Sequence, residues 1–295
     1  MEDGTPRAYR RGLILVTGAA VAWSSAGYFT RLIPLDAWTM LVWRGAFAAL
    51  GMLVAVLAFE GARGLRRFRA LGAPGVLLAV VSGLGMVLFI TSLRHTTVAH
   101  VGVIYATVPF VGAGMARLAL REVPARGAVI ASGAALVGVV VMVGLGRDGG
   151  IWGDLMAFGM TLCMAGIMVI TRRHPDIPSM QATVISALLS GAFALPFSGA
   201  EAVAPQVMGL LPLLALFGCV NLALGSVLFM LGAKALPVIE TALIGSLDAP
   251  LAPVWVWLAF GETPEGMTLL GGGIVFAAVV AHVIWANQRA ASAVV

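Results

Sequence analysis

A single acid lies in an otherwise apolar run near the end of the chain, "ALIGSLDAPLAPVWVW" at residues 242–257. This acid is Asp248, and Pro250 and Pro253 follow it closely. A carboxylate is costly in an apolar run, so Asp248 could face a cavity and bind an ammonium group or a proton. It could equally cap a half-helix, because aspartate accepts from the first N–H groups of a helix and proline is tolerated in its first turn. The two roles are compatible, and the sequence leaves both open.

Prolines interrupt the backbone hydrogen bonds at two matched places. Proline has no N–H group, so Pro109 frees the carbonyl of Tyr105 and Pro250 frees that of Ser246. A residue type that favours helix starts stands two positions before each proline: Thr107 and Asp248. The pattern predicts two interrupted helices beside a water-filled cavity. Half-helix N-termini would suit a substrate carboxylate, and freed carbonyls would suit an ammonium group.

Three further polar residues lie inside apolar runs. Arg44 must face the protein interior, where it could bind a substrate carboxylate or pair with a helix end or an acid. His100 could carry a proton near neutral pH or be a satisfied core residue. Asn221 could hydrogen-bond a ligand, although linking neighbouring helices is the commoner use of such an amide.

Aromatic and methionine side chains could wall an apolar pocket for the rest of a substrate. The aromatic candidates are Trp23, Tyr28, Phe89 and Trp255. Met164 belongs to a stripe with Met160 and Met168, spaced by four residues and therefore on one helix face. Such a stripe is ordinarily core packing, although flexible thioethers also suit a cavity that accepts several substrates.

The composition places these residues in a membrane. The chain has 295 residues, of which 60% are hydrophobic and only 11% charged, with a mean hydropathy of +1.01. Its net charge of +5 does not indicate nucleic-acid binding, because the arginines cluster in short connections between apolar runs. Both cysteines, Cys163 and Cys219, fall inside apolar runs and imply no disulfide framework.

Apolar runs long enough to cross a membrane predict ten transmembrane helices. They must be helices, because lipid offers the backbone no hydrogen-bond partners, and the short alternating segments of a barrel are missing. The predicted spans are residues 12–32, 36–58, 72–91, 97–118, 126–144, 152–171, 178–198, 208–231, 238–259 and 268–286.

Basic residues predict the orientation. With ten spans, fourteen Lys and Arg residues fall on the side of the termini and three on the other. Positive charge accumulates on the cytoplasmic side. We therefore expect a multi-pass protein of the inner (plasma) membrane with both termini in the cytoplasm.

The chain contains an internal repeat with an offset of 140 residues. Glu122-x-Pro124 recurs as Glu262-x-Pro264, and Pro109 matches Pro250 with a slip of one residue. The predicted units are residues 12–144 and 152–286, each with five spans. Because five is odd, the second unit enters the membrane upside down. Inverted repeats around a central cavity are the architecture of secondary transporters.

The repeated segments resemble the EamA family of the drug/metabolite transporter superfamily. The first unit contains "AAVAWSSAGYFTRLI", "VWRGAFAAL" and "SLRHTTVAHVGVIYATVPFVGAGMARLALREVP", and the second "LGAKALPVIETALIGSLDAPLAPVWVWLAFGETP". The resemblance implies ten helices in two domains, a central cavity and export of small metabolites. Within the superfamily the general layout is similar to YddG-type amino-acid exporters. The same layout puts span 10, with His282, away from the cavity.

The leading interpretation is a secondary transporter that exports amino acids, aromatic or otherwise apolar, by alternating access. No nucleotide-binding motif is present, so transport would run downhill or use coupled protons. The alternatives within the superfamily are drug or quaternary-amine export and sugar-phosphate or nucleotide-sugar exchange. Span 1 has no acid for a cationic drug, and only Arg44 lies well inside the membrane for a phosphate.

A membrane enzyme is not expected, because "HExxH", "GxSxG" and paired intramembrane aspartates are missing. A non-transporting scaffold or receptor is the alternative from another class. The expected partners are a small-molecule substrate, membrane lipid and coupled protons. No cofactor, metal, nucleic acid or obligatory protein partner is expected.

Overall fold

The computed structural model describes residues 6–96, 98–143, 150–199, 204–261, 263 and 266–292, and these residues form helices and connecting turns. Eight helical runs are long and apolar enough to cross a membrane. Two shorter apolar helices, Val108–Leu120 and Arg126–Val141, fill the two remaining predicted spans. Many large apolar side chains stay exposed on the outside of the bundle, as lipid-facing surface requires.

The described part of the first repeat contains eight α-helices. They are α1 (Pro6–Ser24), α2 (Ala26–Leu32), α3 (Ala37–Glu60), α4 (Ala62–Arg66), α5 (Gly72–His95), α6 (Val98–Tyr105), α7 (Val108–Leu120) and α8 (Arg126–Val143). Span 1 is α1 and α2, span 2 is α3, span 3 is α5, span 4 is α6 and α7, and span 5 is α8, while α4 lies in the connection between spans 2 and 3. A cap fixes the start of span 2, since Asp36 Oδ1 accepts from the N–H groups of Trp38 at 2.8 Å and Thr39 at 3.1 Å.

The second five spans repeat this order. Their helices are α9 (Ile151–Arg173), α10 (Ser179–Ser198), α11 (Pro205–Leu216), α12 (Gly225–Ala233), α13 (Val238–Gly245), α14 (Asp248–Phe260) and α15 (Gly266–Ser292). Span 8 is α11 and α12 joined by a π-helical segment, Phe217–Leu224. Span 9 is α13 and α14.

Spans 4 and 9 are interrupted at the same place, as the prolines predicted. Two turn residues separate α6 from α7, and two separate α13 from α14. The bounds of these four helices match at an offset of 140 residues. Val108 is therefore the counterpart of Asp248, and the slip between Pro109 and Pro250 lies inside the first helical turn, where proline is tolerated.

The predicted capping role of the residues before these prolines is wrong. Thr107 precedes α7 but makes no capping hydrogen bond; its hydroxyl donates instead to the carbonyl of Ile104 at 2.6 Å. Asp248 is the first residue of α14, and the residue at the cap position is Leu247, which has no polar side chain. For Asp248 the cause is the start of α14, which lies one residue earlier than the match of the prolines indicated. For Thr107, which does stand at the cap position, the cause is the bond of its hydroxyl to Ile104.

Each span packs closely against a span of the other repeat, and these pairs are related by the pseudo-symmetry of the repeats. Span 3 packs on span 6 as span 1 packs on span 8, while span 2 packs on span 7 and span 5 on span 10. The largest buried cluster draws apolar side chains from spans 1, 4, 5, 6, 8, 9 and 10. This arrangement confirms the predicted all-α fold of two inverted five-helix repeats.

The two interrupted spans are packed together at one end of the bundle only. We call the end that carries Pro6 and Ser292 the terminal side, and the opposite end, between α2 and α3, the distal side. On the terminal side α7 packs along α13. On the distal side their counterparts α14 and α6 make hardly any contact. The pseudo-symmetry of the repeats is therefore broken in the direction that closes the terminal side.

Polar contacts reinforce the terminal side. Arg172 Nε donates to Glu122 Oε1 at 2.9 Å, an ion pair between the two repeats, and Arg172 Nη1 donates to the carbonyl of Lys234 at 3.1 Å. Lys234 Nζ donates to the carbonyl of Pro175 at 2.9 Å. Partial burial, and then the nearby charge of Arg67, lower the pKa of Lys234. These contacts join the terminal ends of spans 4, 6 and 8.

Close packing of spans 2 and 7 predicts that Gly45→Ala is destabilising. A Cβ at Gly45 would lie 2.7 Å from the carbonyl oxygen of Ala187, which is backbone and must shift. We expect a loss of about 1–3 kcal/mol in the free energy of unfolding, measured by denaturation in detergent micelles. Gly273→Ala is the matched control, because a Cβ there meets nothing within 4 Å. Equal stability of the two variants would contradict this packing.

Candidate functional site

A small enclosed space lies where the interruptions of spans 4 and 9 meet spans 1, 6 and 8. It has about 10 Å³ of room for the centre of a water molecule, which accommodates about one water. The residues that line it are Trp23, Tyr105, Val108, Pro109, Met168, Phe229, Ala242, Gly245 and Ser246. A metabolite would fit only if these walls moved apart. Three predicted site residues, Trp23, Tyr105 and Ser246, are among them.

Asp248 and Tyr105 meet across this junction. Tyr105 is the last residue of α6 and Asp248 the first of α14, and their side chains are close enough to interact electrostatically. The Asp248 carboxyl group also lies against the backbone N–H of Ala249 and is only partly exposed. The structure thus brings together an acid and a phenol that are 143 residues apart in sequence, one from each repeat.

The carbonyl at the break of span 9 is less free than Pro250 predicted. The carbonyl of Ser246 accepts from the N–H of Ala249 at 3.3 Å, so the prediction that it is an open acceptor is wrong. The Ser246 hydroxyl donates to the carbonyl of Leu243 at 2.6 Å. The short turn between α13 and α14 thus satisfies the Ser246 carbonyl with the N–H group three residues later, which a proline count does not reveal. In span 9, a cation at this level would therefore rely on the Asp248 carboxylate and not on the Ser246 carbonyl.

Span 1 also has a break that the sequence did not indicate, at Ser25 between α1 and α2. Asn221, which is 3% exposed, donates from its amide to the carbonyls of Ala22 at 3.0 Å and Trp23 at 2.9 Å. Trp255 Nε1 donates to the Ser24 hydroxyl at 2.8 Å. The donor groups of Asn221 and Trp255 are thus used to brace span 1, which fits helix linkage better than ligand binding.

Arg44 lies between spans 2, 3 and 8 without an acidic partner among the described residues. Its guanidinium carbon is 5.1 Å from the centre of the Phe217 ring, and Nη2 is 3.5 Å from Met86 Sδ. Arg44 Nε is buried and has no hydrogen-bond partner. A guanidinium held by an aromatic face and a sulfur atom keeps donors available for an anion. Sequence reasoning missed Phe217 and Met86, which resemble any apolar residue of a membrane span.

The remaining candidates are distributed around the junction. Tyr28 packs against Phe29 and Phe260, with ring centres 5.2 and 5.8 Å apart, toward the distal side. Phe89 and Tyr105 both pack against a small buried cluster that contains Met160. Met164 packs, partly buried, against the cluster that contains Met168. The side chain of His100 lies outside the described residues.

The fold and this site define a membrane transporter of the inverted-repeat class. The chain belongs to the EamA-like transporter family, whose sequence profile matches residues 10–144 and 151–284. It is thus a multi-pass transporter of the drug/metabolite transporter superfamily.

Solved structures support the same fold. A protein of known crystal structure superposes on 95% of this chain and 99% of its own length, with a TM-score of 0.77 and 16% sequence identity. It is one of 29 matching chains of known structure. Among curated proteins, none matches the sequence significantly.

Replacing Asn221 tests whether it braces the break in span 1. Asn221→Leu would leave the carbonyls of Ala22 and Trp23 without this donor, so we expect a loss of about 1–2 kcal/mol in the free energy of unfolding. Leu224→Ala, in the same π-helical segment but 46% exposed, is the control. Thermal unfolding in detergent micelles measures both variants. A smaller effect at Asn221 than at Leu224 would contradict the bracing role.

Proposed function

We propose that this transporter moves small zwitterionic metabolites, with amino acids that carry apolar or aromatic side chains as the leading substrates. The observation that carries the proposal is the pair of opposite charges inside the membrane, Asp248 at the break of span 9 and Arg44 in span 2. Arg44 has no acidic partner among the described residues, and Asp248 makes no ion pair there. A substrate that brings its own ammonium and carboxylate groups would supply both partners.

Arg44 lies at a depth close to that of the enclosed space at the break of span 9, where Asp248 begins α14. Arg44 stacks on Phe217, and Asn221 follows Phe217 by four residues, about 6 Å of helix rise. Asn221 bonds to the carbonyl of Trp23, whose side chain lines the enclosed space. Arg44 is therefore about one helical turn distal to the level of Trp23. Aromatic side chains at the same depth suit an apolar substrate side chain.

The asymmetry of the interrupted spans supports the proposal of alternating access. In an inverted-repeat transporter, exchanging the conformations of the repeats exchanges the open side for the closed side. Here α7 and α13 are packed, and α6 and α14 are apart. We infer a state closed on the terminal side, from which the repeats rock to part α7 from α13 and bring α6 to α14.

The proposed location is the inner membrane, with the terminal side in the cytoplasm. The support is the excess of basic residues on that side, fourteen against three. Export is the proposed direction, in keeping with the resemblance to metabolite exporters. The driving force is either the substrate gradient or coupled protons.

Counterflow in proteoliposomes tests the substrate class. Amino acids, sugars, nucleosides and quaternary amines are offered in parallel to the purified protein, and we expect labelled leucine or phenylalanine to exchange. Arg44→Gln should weaken amino-acid exchange about tenfold, because it removes charge-assisted bonds to the carboxylate. Arg117→Gln, at an exposed arginine on the terminal side, is the matched control. Exchange of quaternary amines alone would overturn the choice of amino acids.

Asp248→Asn tests the cation site. The amide keeps the shape of the side chain but loses its charge, so we expect the apparent KM for an amino acid to rise about tenfold. Tyr105→Phe keeps the ring and removes the phenol, and should have a smaller effect in the same direction. The measurement is the concentration dependence of exchange at several pH values. Unchanged exchange at all pH values would remove the acid from the mechanism.

A further inference from the structure

Three titratable side chains meet on the terminal side, away from the Asp248 junction. Tyr9 in α1 donates its hydroxyl hydrogen to Glu240 Oε2 at 2.8 Å. His282 Nε2 in α15 lies 3.7 Å from Glu240 Oε1, too far for a good hydrogen bond. Glu240 is 7% and His282 4% exposed. This cluster, Tyr9–Glu240–His282, joins the first repeat to the second.

With a neutral His282, the cluster lacks a positive charge to pair with an ionised Glu240. His282 has no hydrogen-bond partner for either ring nitrogen, although both are buried. With a neutral imidazole and an ionised Glu240 the buried cluster carries one negative charge, whose only described hydrogen-bond donor is Tyr9. One added proton on the imidazole would make the cluster neutral and pair the two charges. Burying a net charge is costly, so the packed arrangement favours the proton-loaded cluster.

Other charged groups nearby do not supply the missing charge. The basic side chains on the packed helices are exposed to solvent or bound elsewhere. Arg172 pairs with Glu122, Arg173 donates to the carbonyl of Ala119, and Lys234 donates to that of Pro175. The side chain of Arg289 lies outside the described residues. Exposed arginines on α1, α7 and α8 are Arg7, Arg10, Arg11, Arg117 and Arg126. Asp248 begins α14, about 12 Å of helix rise from Glu240.

We propose that Tyr9, Glu240 and His282 form a binding site for one proton that is occupied while the terminal side is packed. The site spans the contact between α1 and α13, which must loosen if the terminal side opens to water. Opening hydrates Glu240 and removes the cost of its bare charge, so the proton is released there. Proton occupancy and closure of the terminal side thus favour each other.

Proton binding is measured without any substrate. The chain has four histidines, and NMR of ¹³C-histidine-labelled protein in detergent micelles follows each ring as pH changes, with His282→Gln identifying the signal of interest. Glu240→Gln, which keeps the side-chain shape, should weaken proton binding at His282 about tenfold. Tyr9→Phe removes a donor to the carboxylate and should strengthen it. His95→Gln, at an exposed histidine, should leave proton binding at His282 unchanged.

A His282 ring that stays neutral from about pH 5 to 9, or that titrates alike in the native chain and Glu240→Gln, would overturn the proton site.

The consequence for transport rests on the proposed function and is tested separately. Exchange by the native protein should slow as pH on the terminal side falls, because the bound proton holds that side closed. Glu240→Gln should abolish this dependence. If exchange by the native protein and by Glu240→Gln depended equally on pH while NMR showed proton binding at His282, the link between the proton and closure would be overturned. Failure to find any exchanged solute would count against the proposed function and leave the NMR result standing.

Discussion

The absence of water in a lipid bilayer is the constraint on which this structure depends. Every backbone N–H and carbonyl group within the membrane must find a partner in the protein, so an interrupted helix is tolerated only where other elements enclose it. The interruptions of spans 1, 4 and 9 and the π-helical segment of span 8 satisfy this condition. They lie against one another in the interior, and side chains such as Asn221 and Thr107 complete their hydrogen bonding.

This constraint also concentrates chemistry at one level of the molecule. Shortened half-helices bring polar backbone and an acid to the centre of a bundle that is otherwise apolar. The two repeats contribute unequal halves: Val108 stands in the first where Asp248 stands in the second. An inverted pair of otherwise similar units thereby acquires one acid near Tyr105, which under the proposed function would give a substrate a defined orientation.

Local chemistry determined how much the sequence could predict. Proline acts on the residue four positions earlier, so the breaks of spans 4 and 9 follow from Pro109 and Pro250 alone. The break at Ser25 has no comparable local cause, because it is stabilised by Asn221, 196 residues away. The capping role predicted for Asp248 was missed by a single position, which propensity cannot resolve. Thr107 stands at the predicted cap position, but its hydroxyl bonds back to the carbonyl of Ile104 instead of capping α7.

Contacts between residues that are distant in sequence could not be predicted, because sequence signals such as proline act only over a few positions. Nothing near Glu240 or His282 in the sequence marks them as neighbours, and the family resemblance implied only that span 10, with His282, lies away from the cavity. Arg44 was identified because a charge in an apolar run is conspicuous, whereas its aromatic support Phe217 resembles any other buried phenylalanine. Isolated polar residues can be identified from one sequence, but the residues that contact them can be identified only from the fold.

The π-helical segment gives span 8 a mechanical property that a regular helix lacks. A π-turn holds one more residue than an α-turn, and the surplus can migrate along a helix by exchanging neighbouring hydrogen bonds. Such migration rotates the intervening side chains by about a quarter turn while both ends of the span stay in place. The segment carries Phe217 under Arg44 and Asn221 beside Trp23. A shift of register within span 8 would thus change the contact of Phe217 with Arg44 and that of Asn221 with Trp23 together, without moving the ends of the span.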